Sequence, residues 1–169
     1  WPTRSSPPRH FARWPVTLRS GGPARWTLGC DTPRVGYSAY GDTVKIIAAI
    51  AIGGAVGAVA RHLVGAQMLK LLGHGFPWGT ITVNVAGSFA LGALVEVMAL
   101  RWNVGPELRA FMTVGVLGAF TTFSTFSLDV AVLSGRGALV PAGLYVLATV
   151  SLSIVALFFG LWLFRQLLA

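Results

Sequence analysis

The sequence predicts an all-α membrane protein of four transmembrane helices, the third of them broken. Three observations carry that prediction. The 169-residue chain is 54% hydrophobic and 11% charged, with a mean hydropathy of +0.71, whereas a soluble domain carries about a quarter charged residues. From residue 43 onward it divides into four apolar runs, each long enough to cross a bilayer. The run from Phe111 to Leu133 then breaks its own pattern. It holds Gly115 and Gly118, then Thr121, Thr122, Ser124, Thr125 and Ser127 interleaved with Phe120, Phe123 and Phe126. In hydrocarbon every backbone amide and carbonyl needs an internal partner, so irregular backbone persists only inside protein or beside a water-filled cavity. Paired glycines followed by clustered hydroxyls suit a discontinuous helix that builds an ion site. The competing reading is a packing surface whose hydroxyls bond back to their own helix. It leaves the three-residue phenylalanine spacing unexplained.

The net charge of +8 and pI near 11.1 raise the question of nucleic acid. Six of the thirteen basic residues (Arg4, Arg9, Arg13, Arg19, Arg25, Arg34) lie within the first 42 positions. The others sit at the edges of apolar runs, where the membrane accounts for them, and no basic stripe interleaves with aromatics. No nucleic-acid partner is expected. Cys30 is the single cysteine, so no intrachain disulfide or cysteine metal cluster forms. Residues 1–42 are rich in Arg, Pro, Ser and Gly without apolar periodicity, and the expectation is disorder. They lack the apolar stretch of a secretory signal. The chain begins with Trp rather than Met, which fits an upstream reading-frame extension or an artefact, and no function is assigned to this part. Residues 43–169 form the transmembrane domain.

The first span, Val44 to Leu72, carries Gly53 and Gly57 on one face, suited to close helix approach. Arg61 continues that face and needs a partner, water or a route to the interface. Gly73 to Pro77 reads as a turn, and His74 as a loop residue with no second ligand beside it. The second span, Trp78 to Leu100, places Thr80, Asn84 and Ser88 at i, i+4, i+8, one polar stripe on an apolar helix. Two roles fit Asn84: interhelical glue or the lining of a path. Glu96, near the far end, is expected toward an interface. Trp102 sits at headgroup level in the loop before the third span. Asp129 falls three residues after Phe126, and a carboxylate at that depth is a functional candidate. After the Ser134–Gly137 turn, the fourth span, Ala138 to Phe164, carries a second stripe at Tyr145, Thr149 and Ser153, with Ser151 nearby.

These intramembrane groups are nearly all neutral hydrogen-bond donors. No nucleophile elbow, phosphate loop or His/Cys cluster accompanies them, so an enzyme is not expected. A donor-rich, carboxylate-poor lining suits a small anion, since stripping its water requires replacement donors. Phenylalanine contributes too, because its ring edge is positive. Four spans leave little room for a pore, so oligomerisation is expected. Lys45, Arg101, Arg109 and Arg165 fall on one side of the membrane, against Lys70, Arg136 and Arg61 on the other. So weak a bias permits insertion both ways and an antiparallel dimer, although the tail arginines favour an inside N-terminus.

At these residues the chain resembles the Fluc (CrcB-type) fluoride channels, over roughly residues 45–165. The stretches that carry the resemblance are Gly53 to Arg61, Gly79 to Phe89 and Gly115 to Phe126. The resemblance implies a dual-topology antiparallel homodimer with two fluoride pores in the plasma or inner membrane. It implies pore roles for Asn84, Phe123, Phe126, Ser151 and Tyr145, with Thr80, Ser124 and Thr125 in or beside a polar track. It implies a structural sodium ion on the dimer axis, held by backbone carbonyls of Gly118 and Thr121. Arg61 matches a first-helix arginine of structural or vestibule role, and Asp129 stands where many members carry Glu. The function implied is passive, fluoride-selective export that relieves fluoride toxicity. The rival is a small proton-coupled exporter of toxic cations, which needs a carboxylate deep in the first helix.

Overall fold

The computed structural model describes residues 37–102 and 104–168, with backbone alone for 37–40. Up to residue 36, the extension expected to be disordered lies outside the described residues. Helix α1 spans Tyr37–Leu72, beginning six residues ahead of the anticipated domain start, and α2 spans Trp78–Leu100. The third apolar segment is composite. It comprises α3 (Pro106–Ala110), a π-helical stretch Phe111–Leu117, α4 (Gly118–Phe120) and α5 (Phe123–Gly135); α6 (Leu139–Leu168) follows. The described residues are helical apart from their connections. Gly41–Leu72, Trp78–Leu100, Pro106–Gly135 and Leu139–Leu168 are each long and apolar enough to cross a membrane.

The connections are short, and glycine makes two of them. Gly73 (φ +79°) ends α1 by donating to the Leu69 carbonyl at 3.0 Å, and Gly137 (φ +76°) closes the α5–α6 turn. At that turn the Gly137 amide reaches Ser134 O and the Ala138 amide reaches Leu133 O, so these two carbonyls near the end of α5 are satisfied. Left-handed backbone at both points is strained for any residue with a Cβ.

Packing follows small residues, as expected where lipid removes the hydrophobic drive between helices. α1 lies against the π-helical stretch through Gly53, Gly57 and Gly115. A Cβ on Gly53 would stand 2.5 Å from the Phe111 carbonyl oxygen, and one on Gly57 would meet the Val116 carbonyl. The close-approach face read from the sequence is therefore occupied. α2 and α6 meet the same way, with Gly92 against the Leu157 carbonyl and Gly160 against that of Phe89. One end of this pair is tied by charge. Arg101 donates from Nε and Nη2 to the Leu168 carbonyl at 3.1 and 2.8 Å. Arg165 binds Glu96 through Nε at 2.7 Å and Nη2 at 3.4 Å. Glu96 does lie near the end of α2, but its side chain is buried, which a paired guanidinium makes tolerable. At the other end Phe126, Leu133, Ala142 and Tyr145 form a buried cluster joining α5 to α6.

Candidate ion pathway

The site begins with two residues of extended backbone. Thr121 (φ −80°, ψ 159°) and Thr122 (φ −154°, ψ 124°) separate α4 from α5. Their polar groups are met by side chains. The Thr122 amide donates to Asn84 Oδ1 at 2.8 Å, and Asn84 Nδ2 returns a bond to the Thr122 carbonyl at 3.0 Å. The amide side chain thus pairs with backbone as a neighbouring strand would. Thr122 also caps α5, its Oγ1 accepting from the Thr125 amide at 3.1 Å. In a continuous helix the Thr122 and Thr125 amides would serve the carbonyls of Gly118 and Thr121. Both amides are engaged elsewhere. Those two carbonyls are left without their helical donors, and both residues line the adjoining cleft.

That cleft, of about 400 Å³, lies between α2, the third segment and α6. Asn84, Phe123 and Phe126 meet there, with Ser88, Thr149 and Ser153 completing a hydroxyl-bearing wall. Phe123 and Phe126 are 5.3 Å apart at 44°. The Thr149 and Ser153 hydroxyls are buried with no hydrogen-bond partner among the described residues. A second cleft of about 430 Å³ opens between α1, α2 and α5, and Arg61, Thr80, Thr125 and Asp129 line it. Thr122 borders both clefts. Asp129 Oδ2 accepts hydrogen bonds from Thr80 Oγ1 at 2.7 Å and Tyr145 OH at 2.9 Å.

The two clefts collect most of the anticipated residues. Asn84, Phe123, Phe126, Gly118 and Thr121 share the first, and Arg61, Thr80, Thr125 and Asp129 the second. Tyr145 lies behind Phe126, fully buried. Ser124 is exposed, its hydroxyl 3.2 Å from that of Thr122. Ser151 is exposed and borders neither cleft, because two residues along a helix rotate it well away from Thr149. Thr149 and Ser153, not assigned a pore role beforehand, are the α6 hydroxyls that reach the first cleft. Their signal was the i, i+4, i+8 stripe that starts at Tyr145. Thr122 was likewise unassigned, and its position before the apolar α5 is the signature of a helix cap.

The family model described as "CrcB-like protein, Camphor Resistance (CrcB)" matches residues 48–161, from about three turns into α1 to past the middle of α6. The chain belongs to this CrcB-like family. Asn84, the extended threonines, Asp129 and Tyr145 all fall inside the matched region. Relatives named "Fluoride-specific ion channel FluC" are similar to this CrcB-like chain over most of its length. That of Rhodospirillum centenum is 55% identical over 126 residues, 75% of this chain and 100% of the relative. That of a Chelativorans species is 56% identical over 119 residues, 70% and 95% respectively. That of Agrobacterium fabrum is 53% identical over 121 residues, 72% and 97%. With four membrane-length segments, this CrcB-like chain is a multi-pass membrane protein.

Proposed function

We propose that the protein is a passive, fluoride-selective channel that lets cytoplasmic fluoride leave across the plasma or inner membrane, and that it is not an enzyme. The observation that carries this reading is the first cleft. Thr149 and Ser153 line a space walled by Asn84, Phe123 and Phe126, and their buried hydroxyl oxygens meet no hydrogen-bond partner within reach among the described residues. A buried hydroxyl without a partner costs about 1–3 kcal/mol, so the wall favours an occupant that accepts hydrogen bonds. A small hard anion does so, and the positive edges of Phe123 and Phe126 suit it as well. The naming of 53–56% identical relatives as fluoride-specific channels supports the choice of anion.

The working unit in this reading is an antiparallel, dual-topology homodimer with two pores. Its support is that Phe123 is 75% exposed on the single chain, beside exposed Ser124, Thr125 and Ser127, with Ser151 exposed on α6. Ser127 bonds back to the Phe123 carbonyl and Thr125 pairs with Thr122, yet a polar face at mid-span remains a poor lipid contact, and a second copy would cover it. The third segment acts in this scheme as a broken helix, hinged at the extended pair Thr121–Thr122. The carbonyls of Gly118 and Thr121 fit a structural sodium ion there, since both have lost their helical donors and hard cations take oxygen ligands. Bound sodium would supply positive charge beside the anion path. The rival, a proton-coupled cation exporter, lacks its carboxylate: the acidic residue of α1 is Asp42, exposed at its start and 3.5 Å from Lys45.

The test is release from liposomes holding purified protein, read with a fluoride electrode and a chloride electrode in parallel. Fast fluoride release without chloride release, abolished by Phe123→Ile, is the expected result. Folded protein that releases no fluoride would exclude the channel.

A further inference from the structure

We propose that Asp129 is a positioning residue for the ion path: its carboxyl oxygen fixes Tyr145, and Tyr145 fixes the ring of Phe126 at the cleft wall. This rests on the fluoride-channel reading above. One oxygen, Oδ2, accepts from Thr80 on α2 and from Tyr145 on α6, so Asp129 ties three elements together at a single atom. Tyr145 has no exposed surface. Its ring lies 5.3 Å from Phe126 at 36° and 5.6 Å from Phe76 at 89°, so it is held from two sides. With the phenol oxygen anchored as well, the ring axis has no freedom left. Phe126, only 7% exposed, is then held between Tyr145 and Phe123, whose centroid is also 5.3 Å away.

The orientation of Phe126 matters because an aromatic ring is positive at its edge and negative on its face. A Phe126 ring that turned its face to the cleft would replace attraction for an anion by repulsion. Asp129 lines the second cleft and not the first, so its effect on the first cleft runs through Tyr145. A carboxylate near an anion path is electrostatically adverse, and the role as a double acceptor accounts for its presence.

The experiment compares fluoride and chloride efflux for the wild type, Asp129→Ala, Asp129→Asn, Tyr145→Phe and the double variant Asp129→Ala/Tyr145→Phe. Size-exclusion profiles establish folding. Asp129→Ala removes the acceptor of two hydroxyls; loss of the Tyr145 bond, on the scale of one buried hydrogen bond, should slow fluoride release about tenfold and lower the fluoride-to-chloride ratio. Asp129→Asn, whose amide oxygen still accepts both hydroxyl protons, should restore most of the rate and the ratio. The double variant should be no slower than the slower single one, because both changes cut the same link. An unchanged ratio in Asp129→Ala would overturn the proposal, as would additive losses in the double variant. So would an Asp129→Asn no better than Asp129→Ala, which would make charge the cause. Should Asp129→Ala not fold, Tyr145→Phe decides, since it removes the phenol oxygen alone and must lower the ratio. A silent wild type would instead fell the channel reading itself.

Discussion

At the scale of single residues, Asn84 is the most informative. The sequence left two roles for it, glue or lining; its side chain pairs with the Thr122 backbone and also borders the cleft. Asn84→Asp keeps the size and one acceptor but loses the donor to the Thr122 carbonyl, setting oxygen against oxygen. The variant should lose about 1–3 kcal/mol of stability, read as an earlier thermal transition in detergent, and should lose fluoride flux too. Thr122→Val removes the cap on α5 and should cost about 1 kcal/mol in the same assay. How legible these residues were depended on the range of the signal. The stripes Thr80–Asn84–Ser88 and Tyr145–Thr149–Ser153 follow from helix periodicity alone. The bond from Asn84 to a backbone 38 residues away follows from no local pattern. The resemblance points to Ser151 on α6 and the stripe to Thr149 and Ser153; on the single chain the latter two border the first cleft and Ser151 is exposed.

At the scale of elements, spans two and four were readable to within a few residues, because hydropathy and turn glycines mark their ends. The start of α1 was not, since Tyr37 to Asp42 carries no apolar run and its helix grows from the one that follows. Nor was the π-helical stretch. It lies where α1 presses its glycines against Phe111, Gly115 and Val116, a tertiary contact with no local counterpart. Gly57→Val would drive a branched side chain into the Val116 carbonyl. Overpacking costs about 1–3 kcal/mol, and the backbone here has no side chain to yield, so the variant should aggregate on size exclusion. Gly54→Ala, where an added Cβ meets nothing within 4 Å, should elute as the wild type does. Equal damage from both would show that the close approach is not what holds α1.

For the whole molecule, the question is which way the chain lies in the bilayer, since the proposed antiparallel dimer needs both orientations. The charges count four against three across it, and part of the larger group is engaged: Arg165 binds Glu96, Arg101 holds the end of α6, and Lys45 faces Asp42. Apart from the arginines of the first 42 residues, a count of four against three is a weak bias. Gly75→Cys and Gly105→Cys, at opposite ends of α2 and made without Cys30, should each be labelled by an impermeant thiol reagent from both faces of the cell membrane. Labelling of each from one face only would end the antiparallel reading.

The pairing of Asn84 with Thr122 also has a direction in time. A chain is made from its N-terminus, so α2 leaves the ribosome before the residues that need it. When the extended threonines arrive in the bilayer, the group that satisfies their amide and carbonyl has already been delivered. On that order of synthesis, the interruption need not wait in hydrocarbon for its partner. A rearranged gene that encoded α2 after the third segment would bring the interruption into the membrane first, with its backbone still unmet.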